Sequence, residues 1–343
     1  MKKVRVLVVD DSFVIRNILK QSLELDSDIE VVGLASDAFE ARDMIIKLRP
    51  DIMTLDIEMP RMNGLDFLKK LMPQYPMPVI VVSSLDDRVF DALEAGAVDF
   101  IHKPGGLTRT QLVEHMQIEL NEKVKVAARV KVTGRKRREP TVVISDGIVG
   151  RPDKDIIAIG ASTGGTEALY DILSKFNTDI PGVVVVQHMP PGFTGMFAER
   201  MNNQCELTIK EAKDGDRVKQ GVVLIAPGDK QMRLVKTAEG YHVTCKFGEK
   251  VNGNCPSVDV LFNSVAETAK ANAVGVILTG MGSDGATGLM EMHRQGAVTI
   301  GQDEVSSVVY GMPKAAYEMG AVTYQVGLSQ MAKKIYSVIN NKR

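Results

Sequence analysis

No run in this chain approaches the roughly 20 apolar residues of a membrane-spanning helix. The stretch from Met1 to Asp11 starts basic but has only a short apolar run before two aspartates, so it does not read as a signal peptide. Cysteine is scarce. Cys205, Cys245 and Cys255 make an odd count without metal-ligand spacing. They give no sign of a disulfide framework or a zinc site, and free thiols in a reducing cytosol are expected. An excess of one charge is also lacking: 42 Lys and Arg meet 43 Asp and Glu, for a net charge of -1. No global field therefore calls for nucleic acid or a membrane as partner. Internal repeats are absent.

What is present is an ordinary globular composition, 44% hydrophobic and 25% charged over 343 residues. That length suffices for two domains, each with its own core. Residues 1–120 alternate strand and helix patterns. Strands are expected at Val4–Val9, Ile29–Ala35, Asp51–Leu55, Val79–Val82 and Val98–His102, with helical spacing at Phe13–Leu25, Ala38–Leu48 and Val89–Ala95. Five such repeats predict a doubly wound parallel sheet covered on both faces. Residues 121–153 change character. Asn121 to Glu139 holds eight Lys or Arg against two Glu, and Pro140, Gly147, Gly150 and Pro152 follow. This reads as an exposed basic linker.

A second α/β pattern occupies residues 154–343. Its strands are expected at Ile156–Ile159, Val183–Gln187, Val222–Ile225, Met232–Leu234, His242–Cys245, Val274–Leu278 and Ala297–Ile300. The alternation breaks near 205–250, where an antiparallel insert is expected. The sharpest local feature lies at the first of these strands. Ile156 to Ile159 runs into Gly160, Ala161, Ser162, Thr163, Gly164 and Gly165, and a helical stretch follows. Glycines permit a tight strand-to-helix turn, which would lift the Ser162 hydroxyl to the carboxyl edge of a sheet. The helix start aims free N–H groups at negative charge. An activated serine or a phosphate cradle would both use that geometry.

A serine nucleophile needs a base and an orienting acid. Among five histidines, His188 ends the run Val-Val-Val-Val-Gln and precedes Met-Pro-Pro-Gly, at the tip of the next strand. His242 and His293 read as structural or exposed, while His102 and His115 belong to the first domain. Asp284 lies in Leu-Thr-Gly-Met-Gly-Ser-Asp-Gly-Ala, again strand, glycine turn and helix. The Met281 amide in that turn is placed to bind an oxyanion. Gly160-x-Ser162-x-Gly164 satisfies the nucleophile-elbow pattern, a weak match alone. The order Ser, His, Asp differs from the α/β-hydrolase order. The phosphate cradle fares worse: Gly160, Gly164 and Gly165 do not match G-x-G-x-x-G, no G-K-[ST] follows, and His188 and Asp284 stay unexplained.

In the first domain, Asp10 and Asp11 close the first strand, Asp56 the third, Ser83 the fourth and Lys103 the fifth. These ends converge at one sheet edge. Three carboxylates together raise one another's pKa unless a cation joins them, and Mg²⁺ suits oxygen ligands. A carboxylate beside Mg²⁺ and a lysine suits a phosphoryl acceptor.

Residues 1–120 resemble a response-regulator receiver domain through Val-Val-Asp-Asp-Ser, Leu-Asp-Ile-Glu-Met-Pro with Asn63-Gly64, Val-Val-Ser-Ser, and Ala-Gly-Ala followed by Lys-Pro. The resemblance implies that Asp56 accepts phosphate from a histidine kinase. It also implies that Asp10, Asp11 and the Glu58 carbonyl hold Mg²⁺ with Asp56, and that Ser83 and Lys103 meet the phosphoryl oxygens. A cis Lys103–Pro104 bond is expected on the same ground.

The second domain resembles the catalytic domain of the chemotaxis protein-glutamate methylesterases. The carrying stretches are Ile-Gly-Ala-Ser-Thr-Gly-Gly-Thr-Glu-Ala, Gln-His-Met-Pro-Pro-Gly-Phe-Thr, Ala-Pro-Gly-Asp-Lys-Gln-Met, Pro-Ser-Val-Asp-Val-Leu-Phe and Leu-Thr-Gly-Met-Gly-Ser-Asp-Gly-Ala. The resemblance implies Ser162 as nucleophile, His188 as base, Asp284 as acid and Met281 as oxyanion donor. It implies a cytoplasmic, phosphorylation-regulated hydrolase that removes methyl esters from chemoreceptor glutamates and deamidates glutamines. No cofactor is expected for the ester chemistry. Asn252-Gly253-Asn254-Cys255 departs from the basic residues expected before Pro256, which puts a substrate role for that loop in doubt. The competing class is a non-catalytic signalling module that binds receptors when phosphorylated.

Overall fold

Runs of Val and Ile buried along their whole length form the centres of two parallel sheets, as expected of strands covered on both faces. The computed structural model describes residues 2–84, 87–103, 106, 108–130, 132 and 155–341. The chain divides into two units, Met1–Arg137 and Arg138–Arg343.

In the first unit, β1 (Val4–Val9), β2 (Ile29–Ala35), β3 (Ile52–Leu55), β4 (Val79–Ser83) and β5 (Asp99–His102) alternate with helices. The helices are α1 (Phe13–Glu24), α2 (Ala38–Leu48), α3 (Gly64–Gln74), α4 (Arg88–Glu94) and α5 (Arg109–Ala127). The sheet order β2-β1-β3-β4-β5 reverses direction at β1, so the ends of β1 and β3 flank a crevice. Side-chain caps fix the helix starts: Ser12 for α1, Asp37 for α2 and Asn63 for α3. The expected domain edge at 120 falls inside α5. That helix continues because Leu120, Val124 and Ala127 are buried and Asn121 donates to the Ser22 carbonyl of α1 at 3.1 Å. Most of the expected 121–153 linker, residues 131 and 133–153, lies outside the described residues, as does Pro104 of the expected cis bond.

The second unit contains β6 (Ile156–Ala161), β7 (Gly182–Gln187), β8 (Thr208–Glu211), β9 (Val222–Ile225), β10 (Lys230–Thr237), β11 (Gly240–Phe247), β12 (Ala273–Ile277), β13 (Val298–Gln302) and β14 (Tyr324–Val326). Its helices are α6 (Gly165–Leu173), α7 (Phe193–Gln204), α8 (Val258–Ala269), α9 (Ala286–Arg294), α10 (Met312–Glu318) and α11 (Leu328–Asn341). Seven strands form one parallel sheet in the order β14-β13-β12-β6-β7-β9-β8. The antiparallel insert is narrower than expected. It consists of the hairpin β10–β11, joined at Thr237↔Gly240, whereas Thr208–Glu211 is a parallel edge strand on β9. The hairpin's inner residues Met232, Leu234, Val243 and Cys245 share a buried cluster with Val258, Leu261, Phe262 and Val265 of α8. This packing holds the segment before α8 against the carboxyl edge of the sheet.

Candidate active site and receiver cluster

The central strand β6 sets the site. Ala161 pairs with Gln187 and Gly160 with Ile277, so β7 and β12 leave the sheet on either side of Ser162. The His188 amide donates to the Ala161 carbonyl at 3.1 Å, and the Ser162 amide donates to the Thr279 carbonyl at 3.0 Å. The three loops are therefore laced together by main chain before any side chain acts. Gly164 has φ +76, a left-handed conformation, and starts α6. Gly280 approaches so closely that a Cβ there would lie 2.7 Å from Ser162 Cβ.

His188 and Asp284 are brought into direct contact: His188 Nε2 lies 2.7 Å from Asp284 Oδ2. A carboxylate can only accept, so Nε2 carries the hydrogen and Nδ1 remains the basic nitrogen. The Asp284 carboxylate is 2% exposed and heavily hydrogen-bonded. Oδ2 also accepts from the Val258 amide at 2.7 Å. Oδ1 accepts from Ser257 Oγ at 2.8 Å, Asn252 Nδ2 at 3.0 Å and the Asp259 amide at 3.2 Å. Burial pushes this carboxyl upward, but the donors, His188 foremost, outweigh it and hold its pKa below the usual range.

Ser162 and Met281 are both partly exposed. Among the described residues, the Ser162 hydroxyl makes no hydrogen bond and the Met281 amide is unpaired. A free hydroxyl and a free N–H in adjacent loops are what an incoming acyl group requires. His242 lies on β11 with Nδ1 3.2 Å from the Gly240 carbonyl, and His293 lies in the last turn of α9, both away from the triad loops. The His115 side chain lies outside the description.

Two participants had no role assigned from the sequence. Gln187, 3% exposed, donates from Nε2 to the carbonyls of Ser162 at 2.9 Å and His188 at 3.2 Å. Only its place just before His188 offered a signal. Asn252 donates to both Asp284 and Asp259, although its loop showed none of the expected basic residues.

In the first unit, Asp10, Asp11 and Asp56 each offer an oxygen within 4.8 Å of the others. Lys103 Nζ lies 2.6 Å from Asp10 Oδ2 and 2.7 Å from Asp56 Oδ2. Burial pushes the Asp56 carboxyl up to about 6, with Lys103 opposing and Asp10 adding to the rise. The Glu58 amide donates to Asp56 Oδ1 at 3.2 Å, and the Glu58 side chain turns away to Arg88. The Ser83 hydroxyl is buried without a hydrogen-bond partner among the described residues. Hard oxygen donors with excess negative charge fit Mg²⁺, and the orphaned hydroxyl beside Lys103 fits an incoming oxygen ligand.

Sheet order, strand-end contacts and acidic crevice together define a parallel α/β unit carrying Ser162, His188 and Asp284 at one edge, and a second α/β unit of receiver type. The CheB methylesterase family model matches residues 157–335, and the response regulator receiver domain model matches residues 6–117. A protein-glutamate methylesterase/protein-glutamine glutaminase 2 of Syntrophomonas wolfei is 54% identical over 99% of both chains. The protein-glutamate methylesterase/protein-glutamine glutaminase of Salmonella typhimurium is 48% identical over 99% of this chain and 98% of its own. The crystal structure of the Thermotoga maritima CheB methylesterase catalytic domain is 38% identical, with TM-score 0.53, covering 54% of this chain and 98% of that one. The chain belongs to the CheB methylesterase family, with a receiver domain at its N-terminal end. No helix among the described residues is long and apolar enough to cross a membrane.

Proposed function

We propose that this enzyme hydrolyses glutamate γ-methyl esters on methyl-accepting chemoreceptors in the cytoplasm, and deamidates receptor glutamines by the same acyl chemistry. Ser162 Oγ attacks the side-chain carbonyl carbon. His188 Nδ1 takes the hydroxyl proton and returns it to departing methanol or ammonia. Asp284 holds the imidazole tautomer and stabilises the imidazolium. The Met281 N–H faces the developing oxyanion. Water, activated by His188, then cleaves the acyl-Ser162 ester and frees the glutamate. The observation that carries the reading is the 2.7 Å His188–Asp284 contact at strand ends flanking Ser162.

Asp56 is the phosphoryl acceptor in this reading, with a histidine kinase as donor. Asp10, Asp11, Asp56 and the Glu58 carbonyl would hold Mg²⁺, which when bound neutralises the charge of the incoming phosphoryl group. Ser83 and Lys103 then bind its oxygens.

The test is methanol release from membranes bearing methylated receptors, with and without a phosphodonor. Ser162→Ala should abolish release, and wild-type release from that variant would overturn the assignment. Loss of fluorophosphonate labelling in His188→Ala would tie Ser162 reactivity to its base.

A further inference from the structure

Asp284 is not the only buried acid behind His188. Asp259, the second residue of α8, is 7% exposed and accepts at Oδ1 from the Gly288 amide at 2.6 Å. Its Oδ2 receives Asn252 Nδ2 at 2.7 Å, and the same nitrogen reaches Asp284 Oδ1 at 3.0 Å. A carboxamide has two N–H groups, and here each carboxylate takes one. No other side chain among the described residues bridges the two acids.

The loop is built to make that reach. Val251 and Asn254 exchange amide-to-carbonyl bonds, both 2.9 Å. Between them Asn252 has φ 53 and Gly253 φ 80. Two successive positive φ values in a two-residue loop are the form that Asn-Gly favours most. The turn is exposed at its tip, yet it projects the carboxamide inward onto two acids.

We propose that Asn252 is a positioning residue of the esterase: its carboxamide separates Asp259 from Asp284 and keeps Asp284 Oδ2 aimed at His188. The inference rests on the triad reading above. Two unbridged carboxylates in a buried site repel, and Asp284 is the one whose orientation the imidazole needs. Burial, aided by the Asp284 charge, already raises the Asp259 pKa. The ionisable groups facing Asn252 are Asp259 from α8 and Asp284 from the loop after β12. His188 from the end of β7 stands behind Asp284, and Glu249 and Lys250 are the charges on its own loop.

The experiment uses the full chain and methylated receptor membranes. Asn252→Gly keeps the positive φ and deletes only the carboxamide. It should lower kcat about tenfold or more, the loss of one hydrogen bond to a charged group, with KM changed less than about twofold. Asn252→Asp places a third carboxylate against the pair. Its activity relative to wild type should rise as pH falls, because the protonated carboxyl regains one donor. A kcat for Asn252→Gly within about twofold of wild type overturns the proposal. If Asn252→Gly folds poorly, Asn252→Asp decides: a pH-independent activity ratio overturns it, and a rising ratio supports it. Ser162→Ala runs alongside. Activity retained there defeats the triad reading itself, whereas its loss with a normal Asn252→Gly enzyme defeats only this inference.

Discussion

The Gln187 side-chain amide donates to the Ser162 carbonyl oxygen at 2.9 Å. Because the same nitrogen also reaches the His188 carbonyl, one carboxamide fastens the main chains of Ser162 and His188. Its Oε1 has no partner among the described residues, and a Cβ at Gly165 would fall 2.1 Å from it. Gln187→Glu should therefore set a carboxylate against two carbonyl oxygens in a buried place. We expect a stability loss of about 1–3 kcal/mol in urea unfolding, together with slower fluorophosphonate labelling of Ser162. Gln187→Met should recover stability better than reactivity. Equal labelling rates for all three proteins would refute the clamp.

Triad variants should not behave alike. Ser162→Ala should abolish methanol release, and His188→Ala should cost nearly as much, since nucleophile and base act as a unit. Asp284→Ala should retain more activity but fold less well. It strips the partner from His188, Val258, Ser257 and Asn252 at once. Ser162→Ala should keep the wild-type unfolding midpoint, because its hydroxyl has no hydrogen bond among the described residues to lose.

Asp284 also predicts a pH dependence of stability. Its folded pKa lies below the ordinary 3.8, so its stabilising contribution is complete above that value. The contribution is lost as pH falls below 3.8 through the folded value, where the native carboxylate must take up a proton. Urea midpoints measured from pH 6 down to pH 3 should fall more steeply for wild type than for Asp284→Asn. Parallel curves would show that this carboxylate does not govern acid unfolding.

The receiver cluster predicts metal-dependent labelling. Acetyl phosphate should phosphorylate Asp56 with Mg²⁺ and not in chelator, because without the cation the phosphate meets three carboxylates and one ammonium. Asp56→Asn should abolish labelling, and Ser83→Ala should slow it. Phosphorylated wild type should release methanol faster, by roughly five- to 150-fold for a coupling of about 1–3 kcal/mol. Mass spectrometry of the labelled site and a methanol assay check both halves.

Much of this molecule is legible in the chain because its central strands are buried on both faces. Ile156–Ala161 and Gly182–Gln187 contain no exposed residue, so the apolar run and the strand nearly coincide. Edge strands escape that logic. Tyr324–Val326 has no buried residue and Thr208–Glu211 alternates with charge, so neither stands out from a loop. Glycine turns and strand-end polar residues likewise exposed Ser162, His188, Asp284 and the aspartates of the receiver, because a sheet delivers its chemistry at that edge.

By itself, then, the sequence determined the two α/β units, the direction of their strands, and which residues would stand at the carboxyl edges. Local covalent rules and burial periodicity are enough for that. Tertiary structure alone decided the order β12-β6-β7, which sets Ser162 between the loops carrying His188 and Asp284. It also selected Nε2 as the His188 nitrogen that meets Asp284. Gln187 and Asn252 entered the site the same way. Their carboxamides act through partners 25 and 32 residues distant, Ser162 and Asp284. A hydrogen bond of that span leaves no local pattern, since its geometry exists only after the sheet and the hairpin have packed.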